Sequence, residues 1–155
     1  MGGMRVRRLD SVRLISPQDK IIALPDHAVL RFDSADATAR HRIEVEDQAG
    51  AGIYQTETSA KELVVPAGIL QPGRSYRWKI RGMGGETLAS ASFRTAPEET
   101  IARRKELAAA GPDARLILAA VDAQLGLLEE ARAELRDNPS EAARKLLETI
   151  DETLK

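Results

Sequence analysis

Cysteine is absent from the 155-residue chain, and this absence excludes thiol catalysis, thiolate metal sites and disulfide bonds together. Aromatic residues make up only 3% of the chain, so few side chains are present that could stack on a sugar ring. Acidic residues number 24 and basic residues 23, and a balance so close to neutral gives no general attraction to polyanions. We therefore expect no nucleic-acid partner.

Long apolar runs are also missing. None approaches the roughly twenty residues that a membrane-spanning helix needs, and the opening Met1–Met4 lacks the apolar core of a signal peptide. Gly2 and Gly3 are typical of a cloning remnant, so an upstream anchor or signal stays open, and membrane contact is expected only through such a segment. In that case the following basic residues would contact headgroups, and otherwise they form a solvated tail: Arg5, Arg7, Arg8 and Arg13.

The apolar residues that are present predict a β-structure in the first part of the chain. From Val12 to Thr95, short stretches alternate between apolar and polar residues and are separated by turn residues, which is typical of an all-β sandwich or barrel. In one stretch Ala28, Leu30 and Phe32 share a face. The predicted strands cover Val12–Ile15, Ile21–Leu24, His27–Asp33, His41–Asp47, Ile53–Thr58, Leu63–Val65 and Tyr76–Ile80, and a last strand ends at Thr95.

The segment Leu70–Ile80 is the most informative part of this region. Pro72 and Gly73 predict a turn, after which Tyr76, Trp78 and Ile80 share the buried face of a strand. The segment resembles the tyrosine corner of fibronectin type III domains, in which a Leu-x-Pro-Gly-x-x-Tyr run leads into a central strand and the Tyr hydroxyl bonds back to the preceding turn. The resemblance implies an immunoglobulin- or fibronectin III-like sandwich over residues 12–96, preceded by a tail of residues 1–11. Phe32 stands where that family commonly has a core Trp.

After residue 96 the apolar spacing becomes helical. Thr95, Pro97 and Glu98 predict an N-cap, a first-turn proline and a capping-box acid for a helix that ends near Ala110, before Gly111. A second helix, from about Asp113 to Leu125, is apolar nearly all round and is expected to be the buried centre. Two further helices follow, one on each side of Asn138-Pro139. The fold class is therefore two-part, an all-β sandwich followed by a small all-α helical hairpin array over residues 97–155.

The run Ala123–Ala131 resembles the inter-helix turn of a tetratricopeptide repeat, in which a glycine, here Gly126, closes one helix and Glu130-Ala131 opens the next. The aromatic positions of that repeat are absent, so the match is to a single degenerate unit. A fibronectin-like domain followed by such helices is similar to the soluble, envelope-facing parts of some bacterial anti-sigma-like and regulatory proteins. This resemblance implies a periplasmic or envelope-facing location in preference to a cytoplasmic one.

Candidate groups for chemistry are few. His27 and His41 are the only histidines; His41 shares the strand parity of Ile43, and no local spacing supplies further metal ligands. Met83–Gly85 predicts a hairpin turn and not a phosphate-binding loop, and the acidic pair Glu129-Glu130 is interpreted as a solvated helix start. We expect no catalytic residue, no metal site, no cofactor and no enzymatic activity.

A basic stripe is the main surface feature of the predicted sandwich. Arg77, Lys79 and Arg81 share the outward face of their strand. We expect them to form cross-strand pairs with the neighbouring strand, whose outward residues are Arg42, Glu44 and Glu46. A polyanion site is the alternative interpretation of the same stripe.

The last predicted helix carries an apolar stripe that so small an array has few places to bury. We predict that this stripe is the principal contact surface, for a protein partner or for a second copy of the chain: Leu146, Leu147, Ile150 and Leu154. The sequence thus favours a non-enzymatic protein–protein interaction or scaffold module with the sandwich as a rigid spacer. The alternative is an accessory module that binds carbohydrate or another envelope polymer, for which Tyr54 is the obvious stacking residue.

Overall fold

The computed structural model describes residues 12–18, 21–36, 38–111 and 114–154. Within these residues two antiparallel sheets form a sandwich, and four helices follow it. The predicted fold class, an all-β sandwich followed by a small all-α array, is therefore confirmed. The predicted tail with its arginines at 5, 7 and 8, and the predicted start of the second helix at Asp113, lie outside the described residues.

The sandwich consists of a three-stranded and a four-stranded sheet, with strands numbered in chain order. The first sheet has the order β1-β2-β5, formed by β1 (Val12–Ser16), β2 (Ala28–Ser34) and β5 (Glu62–Val65). The second has the order β4-β3-β6-β7, formed by β3 (His41–Asp47), β4 (Gly52–Thr58), β6 (Ser75–Arg81) and β7 (Thr87–Arg94). Adjacent strands in both sheets are antiparallel.

The two sheets enclose an apolar core in the positions that strand alternation predicted. Residues at every second position of a strand point to the same face, and Ala28, Leu30 and Phe32 of β2 are buried together. The Trp78 indole of β6 is fully buried, and its Nε1 donates a hydrogen bond to the Pro17 carbonyl oxygen at 2.9 Å. Because that donor is satisfied inside the core, burying the indole leaves no polar atom without a partner.

The tyrosine corner is present. The backbone N–H of Gln71 donates a hydrogen bond to the Tyr76 hydroxyl at 2.8 Å, and Gly73 has a positive φ of 64° in the intervening turn. Thr95 joins the same turn, since its hydroxyl donates to the Gln71 carbonyl at 2.5 Å and accepts from the Arg74 N–H at 3.1 Å. Thr95 is thus occupied by the sandwich, and the prediction that it caps the first helix is wrong.

The predicted strand Ile21–Leu24 is reduced to two isolated bridges. Ala23 pairs with Thr95, and Leu24 pairs with His27 across the turn at Pro25-Asp26. Proline has no N–H for a ladder and the chain reverses immediately, so this apolar run has no length in which to pair. Its backbone instead bonds to the helical part and to the end of the sandwich, since the Ile22 N–H donates to the Gly126 carbonyl oxygen and the Ala23 carbonyl oxygen accepts from the Ala96 N–H, both at 2.9 Å.

Four helices follow, namely α1 (Glu98–Ala109), α2 (Arg115–Leu125), α3 (Leu128–Leu135) and α4 (Glu141–Thr153). Gly111 and Gly126 follow α1 and α2 with φ values of 101° and 92°, a conformation that glycine adopts at little cost. The Ser140 hydroxyl caps α4 by accepting from the Ala143 N–H at 3.2 Å. Of the helices that the structure describes, none is long and apolar enough to cross a membrane.

The helical core lies mainly between α2, α3 and α4. Leu128, Ala131 and Leu135 of α3 pack there against Ala119 of α2. The expectation that α2 is buried on all sides is wrong, because Ile117 is 57% and Leu125 42% exposed. None of the twelve residues of α1, all of which the structure describes, is buried, so α1 does not supply the cover that a central helix would need.

Candidate functional site

The predicted contact stripe on α4 lies largely inside the molecule. Ile150 is 2% and Leu154 6% exposed, both within the helical core, and Leu146 and Leu147 are half-buried against that core. The expectation that the stripe would be left uncovered is therefore not met. Ile15 and Ile21 also pack on this core, so residues ahead of the helices enlarge the cover that the small array provides.

A different helix carries the exposed apolar surface. Ile117, Val121 and Leu125 lie at positions i, i+4 and i+8 of α2 and therefore on one side of it; these three residues are called the α2 face below. Ile117 and Leu125 are exposed and Val121 is half-buried. The sequence signal for this face was present in the all-round apolar character of α2, which we interpreted as central burial.

The sandwich and the helices are joined by a side-chain clamp. The Arg31 guanidinium, on the outer face of β2, binds both carboxylate oxygens of Glu129 at 2.8 and 2.9 Å. Its third nitrogen lies 3.3 Å from Glu62 of β5. The hydrogen bonds to Glu129 raise the pKa of Arg31 although its burial opposes this. Glu129 is thus not the solvated helix start that the sequence suggested, because it anchors α3 to the sheet.

A cleft of about 860 Å³ lies between this sheet face and the helices. The sheet contributes Val29 and Arg31 to its wall, and the helices contribute Leu118 and Arg104. Further titratable and charged side chains belong to the lining: His27, Glu62, Arg115, Glu129, Glu130, Glu134, Arg136 and Asp137. The cleft therefore presents neither a single charge sign nor a purely apolar pocket to a ligand.

The helical side of this cleft contains a buried ionic cluster, called the Arg104 cluster below, which consists of Arg104, Asp122, Glu130 and Glu134. The Arg104 guanidinium binds both carboxylate oxygens of Asp122 at 2.8 and 3.0 Å and Glu134 Oε1 at 3.0 Å. The Asp122 side chain is completely buried. Burial lowers the pKa of Arg104, but hydrogen bonding to Asp122 and the nearby carboxylates outweigh it, so that the net pKa is raised.

Two acids of this cluster hold their protons more tightly than ordinary glutamates do. Glu130 is 9% exposed, and its burial raises its pKa to about 7. Burial and the adjacent Asp122 also raise the pKa of Glu134. The interpretation of Glu130 as a solvated residue is therefore wrong. Two features of the sequence could have indicated this cluster: the i, i+4 spacing of Glu130 and Glu134, and the position of Asp122 within an apolar helix. Neither feature identifies Arg104 as the shared partner, because Arg104 lies on another helix.

Two further candidates from the sequence, His41 and the basic stripe, make contacts within the sandwich. His41 is 1% exposed, and its ring makes an edge contact with Phe32 at 5.7 Å between centroids. In the basic stripe, Lys79 binds Glu46 at 2.7 Å and Arg81 binds Glu44 at 3.0 Å. These pairs are diagonal, because the register places Lys79 opposite Glu44. The charge-pairing interpretation of the stripe is thus confirmed for these two residues.

The remaining candidates do not assemble into a site. Tyr54 is half-buried against the sandwich core, so its ring is not freely presented for stacking. Within the part of the chain that the structure describes, no group of three or more His, Asp or Glu side chains is arranged to hold a metal ion.

Comparison with known proteins gives similarity to solved structures only. No family model matches the chain, and no curated protein matches it. CopC from Methylosinus trichosporium OB3b is 20% identical, with a TM-score of 0.37, over 56% of this chain and 95% of that one. The fn3 domain of the human collagen alpha-1(XX) chain is 14% identical, with a TM-score of 0.40, over 57% of this chain and 88% of that one. Values this low say nothing about what this chain binds.

Proposed function

We propose that this chain is a protein-interaction or scaffold module, in which the sandwich is a rigid spacer and the helices present the α2 face to a protein. The exposure of Ile117 at 57% and Leu125 at 42% on one side of a helix carries this proposal. The sequence predicts the contact on α4; the burial of Ile150 and Leu154 supports proposing α2 in its place.

The geometry of α2 suits recognition of another protein. Its opposite side is fixed, because Leu118, Ala119 and Asp122 are buried, so the exposed side needs little ordering when it binds. Side chains at i, i+4 and i+8 are the usual anchors when an amphipathic helix enters an apolar groove. Complete burial of one aliphatic side chain stabilises a complex by about 1.5–3 kcal/mol. Ile117 and Leu125 are 57% and 42% exposed, so each supplies only part of that amount, and a protein partner must add contacts around them to offset the entropy cost of association.

No observation favours the alternative of a module that binds carbohydrate or another polymer. Trp78, Tyr76, Phe32 and Phe93 are all buried in the sandwich, and Tyr54 packs on the same core. Sugar recognition commonly needs an open aromatic face. The envelope-facing location implied by the resemblance stays a prediction.

The proposal can be tested with the double variant Ile117→Glu, Leu125→Glu, compared with the wild type by light scattering and by cross-linking pull-down. We expect the wild type to self-associate or to retain a protein that this variant loses. The matched control is Val64→Glu, Met83→Glu, which places the same charges on exposed apolar residues of the sandwich part. Equal masses and equal captured proteins for the wild type and the α2 variant would contradict the proposal.

A further inference from the structure

Three carboxyl groups share one guanidinium in the Arg104 cluster. Arg104 of α1 bonds to Asp122 of α2 and to Glu134 of α3, and Glu130 lies one helical turn before Glu134 on the same side of α3. Full ionisation therefore leaves two uncompensated negative charges in a largely buried place. Like charges at i and i+4 on a helix are unfavourable even at a surface, and burial increases the cost.

Glu130 is the member with the least satisfied environment. The residue is 9% exposed, and its Oε2 atom has no hydrogen-bond partner among the described residues. A buried carboxylate without a partner is costly, whereas a protonated carboxyl group in the same position is much less so. The geometry thus favours the neutral form of Glu130 whenever α3 is packed against α2.

We infer that the Arg104 cluster is a pH-sensitive latch, which holds α1, α2 and α3 together when Glu130 and Glu134 are protonated and loosens their packing when both ionise. The raised pKa of both acids supports this inference. The latch involves no partner and does not use the α2 face, so it stands or fails independently of the proposed function.

Charged side chains from several helices surround Glu130 and Glu134. Arg104 of α1 and Asp122 of α2 face both acids, and Glu129 of α3 also faces Glu130. Glu129 is already bound to Arg31 of β2. Further titratable or charged side chains line the same cleft: His27, Glu62, Arg115, Arg136 and Asp137. The one guanidinium bonded inside the cluster, Arg104, stays charged throughout, so the net charge of the cluster is set by the acids.

The direction of the effect follows from the raised pKa. The pKa of Glu130 is about 7 in the folded chain against an ordinary value of 4.5, so the folded state binds more protons between these two values. The stability that protonated Glu130 contributes to the helical packing is then fully present below about pH 4.5 and is lost as the pH rises through about 7. Above the folded pKa the loss is complete and no longer changes with pH.

Amide hydrogen exchange of the intact protein at about pH 5 and about pH 8 tests the latch. After correction for the intrinsic pH dependence of exchange, we expect the opening constant of α3 amides to rise about tenfold or more, since one pKa unit corresponds to a factor of ten. Amides of β6 report the sandwich and are expected to stay constant. The double variant Glu130→Gln, Glu134→Gln mimics the protonated acids and should abolish the rise in α3.

The matched control is Glu106→Gln, Glu148→Gln, which removes two exposed carboxylates from α1 and α4 and should leave the rise unchanged. An identical rise in the wild type and in Glu130→Gln, Glu134→Gln would overturn the inference. Carbon-13 NMR titration of the wild-type glutamate carboxyl groups gives a second test that needs no variant. Two midpoints well above the others are expected, and ordinary midpoints for every glutamate would equally overturn the latch.

Discussion

The sandwich and the helical array bury different kinds of side chain. The largest fully buried side chains of the sandwich are Trp78 and Phe32, while its strand charges pair on the outside. The helical array buries Asp122 completely and Glu130 almost so, next to Arg104. In the sandwich, two sheets cover the apolar side chains from both sides. Helix α1 has no buried residue, and the Arg104 guanidinium joins it to α2 and α3. The sandwich is therefore stabilised by packing and the helices in part by charge and protonation.

The largest effect is expected in the sandwich, for Trp78→Ala. The indole is fully buried and hydrogen-bonded to Pro17, so its removal leaves a large cavity and an unsatisfied carbonyl. We expect a loss of about 3–5 kcal/mol in the free energy of unfolding, measured by urea denaturation with β-sheet circular dichroism. Met83→Ala, at a 54% exposed position, should cost almost nothing. Comparable losses for both variants would show that packing does not stabilise the sandwich in this way.

The difference between the two regions also explains what the sequence could predict. In the sandwich, strand alternation identifies inward residues locally, because residue i+2 has the same face whatever the neighbouring strand is. Tyr76, Trp78 and Ile80 are buried as this rule predicts, whereas the hydrogen bond at the Tyr76 hydroxyl is the one that the resemblance to the tyrosine corner implies. The exception was Ile21–Leu24, where Pro25 ends the pairing after two isolated bridges.

In the helical array the residue types predict helices, but they do not predict which residues pack against one another. An apolar helix such as α2 has no single inward side until its packing partners are known, so the exposure of Ile117 and the burial of Ile150 could not be read from spacing. The Arg104 cluster joins residues 18 and 30 positions apart in the chain. Nothing in local spacing identifies such a partnership, and Glu130 is therefore interpreted from the sequence as a solvated residue.

The next largest effect is expected for Arg104→Met, which tests the other side of the comparison. Methionine keeps an unbranched apolar stem but removes the cation from three carboxyl groups, one of them fully buried. Removing one partner of a buried ion pair costs about 3 kcal/mol or somewhat more. The loss should appear in the helical signal at 222 nm in circular dichroism, and the fluorescence of Trp78 should report a smaller change in the sandwich.

The control for Arg104→Met is Arg103→Met, at the adjacent exposed position, for which we expect a change within about 0.5 kcal/mol. If both variants lose the same stability, the cluster contributes no more than a surface charge does.

A fragment of residues 1–96 separates the two regions directly. We predict that it retains a cooperative β-type unfolding transition, because the sandwich core contains no helical residue. The fragment loses two contacts with the helices, because Ile15 packs on the helical core and Arg31 binds Glu129. We expect its free energy of unfolding to fall by about 2 kcal/mol, in the range for uncovering one aliphatic side chain. An unfolded fragment by circular dichroism would show that the two regions form one cooperative unit.

The smallest effect concerns the clamp that connects the two regions. Arg31 and Glu129 have side chains only 22% and 10% exposed, so solvent screens their attraction less than it does at a surface. We expect a double-mutant cycle of Arg31→Gln and Glu129→Gln to give a coupling free energy of about 1 kcal/mol, at the upper end for ion pairs that keep some solvent contact. Glu62 limits the coupling, because it lies 3.3 Å from Arg31 and retains the guanidinium when Glu129 is lost.

The matched cycle uses Arg13→Gln and Asp33→Gln, a cross-strand pair on the same sheet whose side chains are 59% and 63% exposed at a separation of 4.0 Å. Its coupling should be near zero, since an exposed pair at that distance gains little over hydration. The comparison tests burial together with the shorter bidentate contact, because both cycles remove one arginine and one carboxylate from the three-stranded sheet or its contact. Equal couplings in the two cycles would mean that the clamp orients α3 without stabilising it. A clearly larger coupling at Arg31 would instead show that this ion pair stabilises the contact between α3 and the sandwich.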